Sequence, residues 1–139
     1  MSIAIARKTL SSAAASKAVE AAVAHGSARG KAVVAAAVDA GGDLLALLRA
    51  DGAFTASVGI ARDKAYTAAI FGLSTDDLSN ALIANAVVHS GIAARPGVVL
   101  FGGGFPVREG GEVIGAIGVS GGSEDDDRDC AKAGLQARA

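Results

Sequence analysis

The chain has 139 residues, of which 51% are hydrophobic and 19% charged, so it can bury a core and is not disordered. The 13 basic and 14 acidic residues give a net charge of −1, which leaves no positive excess for phosphates and argues against a nucleic-acid partner. No apolar run approaches the roughly 20 residues of a membrane-spanning helix, and the single Cys130 excludes an intrachain disulfide.

We therefore predict a single cytoplasmic domain over residues 1–139, without a membrane partner. Its apolar residues are mostly small, because aromatic residues make up only 4% of the chain and glycines number 19. Each small side chain buries little area, so we expect the chain to gain stability by burying surface against copies of itself, as a homo-oligomer.

The first 50 residues predict one helix and two strands. Alanine-rich periodicity predicts a helix from Thr9 to about Ser27. Two short apolar runs follow, at residues 33–38 and 44–48, and the Asp/Gly-rich turn between them predicts a β-hairpin.

The next helix, predicted from Phe54 to Phe71, has two unlike sides. One side can lie very close to a sheet because its residues are all small: Ala61, Ala65, Ala68, Ala69 and Gly72. The opposite stripe mixes large apolar residues with polar ones: Ile60, Lys64, Thr67 and Phe71. A helix suited to burial on both sides needs a second partner, and we expect either a neighbouring subunit or a ligand.

The second half of the chain predicts two more helices and further strands. A helix capped by Ser74 or Thr75 is expected to run to about His89, and Ser123 is expected to cap a C-terminal helix together with Asp126. Strands are predicted at residues 98–101, 105–107 and 112–119. The order α-ββ-αα-(β)ββ-α indicates an α+β fold of α/β/α layers, an antiparallel sheet flanked by helices.

Five runs of residues, taken in order, carry a family resemblance. They read VDAGGDLLA at 38–46, RADGA at 49–53, ARDKAYTA at 61–68, GGGFPV at 102–107 and GAIGVSGG at 115–122, and Asp127 follows them. Together they resemble the GlcG/HbpS-type haem-binding family, to which the C-terminal domain of PduO-type corrinoid adenosyltransferases is related. The resemblance implies a profilin-like fold, self-association and, in some members, binding of haem or a cobalamin-related ligand. Other members look like isomerases of small unsaturated acids.

Three charged residues are the candidates for catalysis. Arg49 can hold a carboxylate through two hydrogen bonds while Asp51 orients the ligand or moves a proton; a structural salt bridge is the alternative. Lys64, set between apolar residues one turn from Thr67, is expected to be partly desolvated and suited to proton transfer or anion capture. Its alternative is a lysine paired with an acid of another subunit.

Glycine runs and aromatic residues supply further ligand-binding candidates. Backbone N–H groups of Gly103, Gly104, Gly121 and Gly122 can line an anion-binding concavity, although such runs also form tight turns. Phe71 and Phe105 are expected to pack on the plane of a flat ligand.

Haem is the cofactor that these residues could bind, although no motif in the sequence requires a cofactor. Its iron usually takes a His, Cys, Met or Tyr ligand, which leaves His25, His89, Cys130, Tyr66 and Met1. His89 shares a helix face with Asn85, and this face suits a flat apolar ligand, so both are binding candidates. His25 is expected to be structural or exposed. Two isolated histidines do not make a zinc site, and no metal site is predicted.

Three functions are consistent with these residues. The first is an oligomeric protein that binds haem, a related tetrapyrrole or another planar carboxylate-bearing ligand near Arg49, Lys64 and the glycine loops. The second is a cofactor-independent tautomerase or isomerase of a small unsaturated dicarboxylate in aromatic catabolism. The third is an assembly protein without a ligand, in which the Lys64 stripe lies wholly in a subunit contact.

Overall fold

The computed structural model describes residues 2–137, which form five helices and four strands. In chain order these are α1 (Ser12–Ser27), β1 (Val34–Asp39), β2 (Leu44–Arg49), α2 (Ala56–Phe71), α3 (Thr75–Leu82), α4 (Ala86–Ala93), β3 (Gly104–Glu109), β4 (Glu112–Ser120) and α5 (Glu124–Gln136). No helix within these residues is long and apolar enough to cross a membrane.

The four strands make one antiparallel sheet in the order β2-β1-β4-β3. Both predicted hairpins are present, β1 with β2 and β3 with β4. The two central strands pair along their length, from Val34 opposite Ser120 to Asp39 opposite Gly115. The predicted α+β class with an antiparallel sheet is therefore confirmed.

Helices cover both faces of the sheet, in three layers. Successive residues of β1 alternate between two cores, because side chains along a strand point to opposite faces. Ala35 and Ala37 pack with α1 and α5, whereas Val34, Ala36 and Val38 pack with α2.

Helix α2 lies directly on the sheet, as the small residues of its inner side predict. Ala61, Ala65 and Ala68 are completely buried there. The fit depends on Gly118 of β4, because a Cβ at that position would overlap the carbonyl oxygen of Ala61.

Two sequence predictions differ from the structure. The helix expected from residue 75 to His89 is two helices, because α3 ends at Leu82 and the Asn85 side chain caps a new helix, α4, by accepting a hydrogen bond from Val88 N–H. The strand predicted at residues 98–101 is absent. Its backbone bonds to helix α2 instead, through Val99 N–H and the Thr67 hydroxyl.

Candidate functional site

Lys64 is the most deeply buried charged residue of helix α2. Its side chain is 1% exposed, and Nζ donates hydrogen bonds to the Val119 carbonyl oxygen at 2.9 Å and to Asp127 Oδ2 at 3.1 Å. The Phe101 ring lies over the ammonium group, with its centroid 5.0 Å from Nζ. These contacts form a buried ion pair with a cation–π contact.

Asp127 is held in this pair by the turn that precedes helix α5. Its Oδ1 accepts a hydrogen bond from Gly122 N–H at 2.9 Å, so one carboxylate joins Lys64 to the glycine turn after β4. The capping box of Ser123 and Asp126, predicted from the sequence, fixes the same turn. Gly122 therefore takes part in the cluster by positioning Asp127.

Residues 97–103 cover the part of helix α2 that carries Lys64 and Thr67. The Thr67 hydroxyl donates a hydrogen bond to the Gly97 carbonyl oxygen at 2.9 Å and accepts one from Val99 N–H at 3.0 Å. A Cβ at Gly103 would lie 2.9 Å from Lys64 Nζ. The prediction that Lys64 and Thr67 face a subunit or a ligand is therefore wrong, because other parts of the same chain bury both side chains: β4, α5 and the loop for Lys64, and the loop for Thr67.

Burial sets the electrostatics of the pair. Desolvation lowers the pKa of Lys64, and the neighbouring Asp127 carboxylate opposes that shift. Desolvation also raises the pKa of Asp127, against the hydrogen bond from Gly122 and the charge of Lys64. Each charge depends on the other, and the pair is closed to solvent, so it links α2, β4 and α5 rather than offering a free base.

The roles of two residues of this cluster were missed by sequence reasoning. Thr75 is buried, and its hydroxyl accepts a hydrogen bond from Gly104 N–H at 3.1 Å. Asp127 was noted as part of the family resemblance, without a role in pairing with Lys64. Helical spacing was the available signal, because Asp127, Cys130, Ala131 and Gly134 form the buried face of α5, and a buried acid requires a partner.

Arg49 and Asp51 lie apart from Lys64. Arg49 ends edge strand β2, whereas Lys64 bonds to β4, and β1 lies between these strands. The Nε and Nη2 atoms of Arg49 donate to the Ala53 carbonyl oxygen at 3.1 and 2.8 Å. Arg49 and Asp51 together line a separate open groove of about 330 Å³. One site containing Arg49, Lys64 and the glycine loops is therefore not formed within the chain.

The remaining candidates are also dispersed. Phe105 packs on the α1/α5 side, under Lys132 Nζ at 5.9 Å from its ring centroid. Phe71 ends α2 on the opposite face of the sheet, so the two rings do not pack on one ligand within a chain. Gly121 has φ of 140°, and a Cβ there would lie 2.7 Å from the Ala32 carbonyl oxygen, which makes it a close-packed turn. His89 is half-buried on α4.

A surface ion-pair network borders the cluster. Arg128 of α5 donates to both carboxylate oxygens of Asp76, at 2.8 and 2.7 Å, and to Asp125 at 2.9 Å. The hydrogen bonds from Arg128 lower the pKa of Asp76. Within residues 2–137, no group of three His, Cys, Asp or Glu side chains lies close enough to hold a metal ion.

The sequence model of a family described as haem degrading protein HbpS-like matches residues 10–136. The chain belongs to the HbpS-like family. An uncharacterized 15.0 kDa protein of the dhaT-dhaS intergenic region of Citrobacter freundii is 40% identical over 104 residues, 74% of this chain and 73% of that protein. The corrinoid adenosyltransferase PduO of Salmonella typhimurium is 35% identical over 106 residues, which are 76% of this chain but 32% of PduO.

Solved structures of HbpS-like proteins share the architecture closely. Klebsiella pneumoniae ORFY superposes with a TM-score of 0.92 at 31% identity, over 99% of this chain and 96% of ORFY. PduOC, solved as a complex with haem, superposes with a TM-score of 0.84 at 32% identity, over 93% of this chain and 94% of PduOC. The resemblance seen in the sequence and its fold are both confirmed.

Proposed function

We propose that this chain binds haem, or a related planar ligand bearing carboxylates, on the exposed surface of helix α4. The observation that carries the proposal is that α4, with the sequence AVVHSGIA, has no buried residue. Val87 is 83% exposed, and His89 is half-buried on the same helix. Exposed apolar side chains on a helix are stabilised when a binding partner buries them, and an aromatic macrocycle is a partner of suitable shape and polarity. The haem complex of the relative PduOC supports this class of ligand.

His89 fits the iron better than the other candidate ligands do. Cys130 is 2% exposed, and burial raises its pKa to about 11, so it presents no thiolate. The Tyr66 ring is packed between Gly42 and Gly97, which restricts the approach of a macrocycle. His25 lines a groove of mostly polar and charged side chains, which offers little apolar wall. Met1 lies outside the described residues.

The cation that suits a ligand carboxylate at this surface is Arg95. It follows α4 closely, and its guanidinium has no hydrogen bond or ion pair to the rest of residues 2–137. Lys64, proposed for this role from the sequence, is already paired with Asp127. Bound haem would supply an iron centre whose reactivity depends on the axial ligand and on the polarity around it.

Titration of the purified protein with haemin tests this proposal. We expect a saturable shift of the Soret band in the wild type and in the matched control His25→Ala. In His89→Ala we expect the histidine-ligated spectrum to be lost and the affinity to fall about tenfold or more, as loss of one metal ligand implies. An identical titration for His89→Ala and the wild type would overturn the assignment.

The groove of Arg49 and Asp51 supports a second candidate function, the isomerase of a small unsaturated dicarboxylate. The groove also includes Ser27, and Arg49 Nη1 has no hydrogen bond within the described chain, so it can bind a carboxylate. Asp51 would then move the proton. Turnover of muconate-type substrates that disappears in Asp51→Ala would support this candidate, whereas turnover unchanged by that substitution would refute it.

A further inference from the structure

The groove that contains Tyr66 lies where the β1–β2 turn, helix α2 and the loop after α4 meet. Its volume is about 370 Å³. The turn contributes Asp43, the start of β2 contributes Leu44, the helix contributes Arg62 and Tyr66, and the loop contributes Gly97. None of these residues belongs to the surface proposed for haem.

The walls of this groove are held in place by close packing around Tyr66. A Cβ at Gly42 would lie 2.7 Å from Cδ1 of the Tyr66 ring, and a Cβ at Gly97 would lie 3.1 Å from Cδ2. Both glycines have positive φ, of 86° and 79°, which other residues rarely adopt. The Thr67 hydroxyl donates to the Gly97 carbonyl oxygen and fastens the loop. The groove is therefore preformed, as most small-molecule sites are.

Polar groups of both charges converge in the groove without partners that satisfy them. Within residues 2–137, the Tyr66 hydroxyl and the Asp43 carboxylate have no hydrogen bond. Arg62 meets only Asp63, at a distance of 4.0 Å from Nε to Oδ1, and its side chain is 55% exposed. One guanidinium, two carboxylates and one phenol are thus available to a ligand.

We propose that this groove binds a small zwitterion of the amino-acid type. The ligand carboxylate bonds to the Arg62 guanidinium and the Tyr66 hydroxyl, and the ligand ammonium group bonds to Asp43 and Asp63. Leu44, which is partly exposed at the edge of the groove, contacts an apolar side chain of the ligand. A ligand with a single charge would leave the groove groups of its own sign unpaired. The volume of the groove lies at the low end for ligand sites, which suits a small ligand.

Tyrosine fluorescence offers a direct test, because Tyr66 is the only tyrosine and the chain has no tryptophan. The probe is L-leucine, compared with 4-methylpentanoate, which lacks the ammonium group, and with 3-methylbutylamine, which lacks the carboxylate. We expect a saturable change in fluorescence with leucine and binding about tenfold weaker for each singly charged analogue. No saturable change with leucine, or equal affinity for an analogue, would overturn the proposal.

Substitutions assign the roles of the individual groups. Tyr66→Phe keeps the ring between the two glycines and removes only the hydroxyl; calorimetry should show leucine binding weakened several-fold. Arg62→Gln should weaken leucine and 4-methylpentanoate about tenfold but leave 3-methylbutylamine unchanged. Arg29→Gln, a surface arginine outside the groove, is the matched control. His89→Ala should bind leucine with the wild-type affinity, because His89 lies outside the groove. The leucine and haem measurements therefore test two independent sites.

Discussion

At the scale of single residues, the burial of Lys64 depends on a carboxylate of its own chain. Its apolar neighbours indicated desolvation, and burial does lower its pKa. An acid of another subunit was the alternative to a functional role for Lys64, yet the acid that pairs with it is Asp127 of the same chain, 3.1 Å away. Periodicity places a side chain on a face of a helix, but the partner across that face comes from tertiary contacts.

We predict that Lys64→Met lowers the free energy of unfolding by about 3–5 kcal/mol, because it leaves Asp127 buried without a counter-charge. Urea unfolding followed by circular dichroism measures the effect. The double variant Lys64→Met/Asp127→Asn should be more stable than Lys64→Met, since the amide is neutral and still accepts the bond from Gly122 N–H. A double variant less stable than Lys64→Met would contradict this account of the pair.

At the scale of elements, residues 97–103 pack against the part of α2 that carries Lys64 and Thr67. The sequence placed a strand there, because an apolar run beside glycines resembles one. The structure instead shows a loop whose backbone bonds to the Thr67 hydroxyl through the Gly97 oxygen and Val99 N–H. A polar side chain on a buried helix face can form hydrogen bonds with the backbone of a loop. The periodicity of the sequence does not predict which loop it will bind.

Thr67→Val should therefore loosen this loop with little change in volume. Loss of the hydroxyl leaves the Gly97 oxygen and Val99 N–H without their partner, at a cost of about 1–3 kcal/mol. Hydrogen exchange should show lower protection at Val99, and urea unfolding should show the loss of stability. Thr55→Val is the matched control, because Thr55 precedes α2 without a side-chain capping bond. Equal effects from both substitutions would count against the role of Thr67.

At the scale of the whole molecule, one group of exposed apolar side chains lies where helix α2 ends. Ile70, Phe71 and Leu73 are 44%, 36% and 37% exposed and lie close together along the chain. The small side chains of the core led us to expect a homo-oligomer. We propose that a second copy covers this surface, with Phe71 in the contact.

The double variant Phe71→Glu/Leu73→Glu should dissociate the assembly, because two carboxylates would be buried at a contact between copies. Size-exclusion chromatography with light scattering measures the mass, and we expect a shift to the 13.5 kDa monomer. Asn80→Glu, an exposed substitution on α3, should leave the mass unchanged. A wild type that is already monomeric at micromolar concentration would refute the self-association proposal.

The sequence by itself determined the fold class, both hairpins, the smooth inner side of α2 and the capping box of α5, because each depends on local periodicity or on neighbouring residues. It also determined the family, through motifs spread along the chain. Only the tertiary structure decided that Asp127 pairs with Lys64, that Arg49 lies two strands away, and that Tyr66 is held between Gly42 and Gly97. Those contacts join residues tens of positions apart, and they depend on which faces meet when the layers pack.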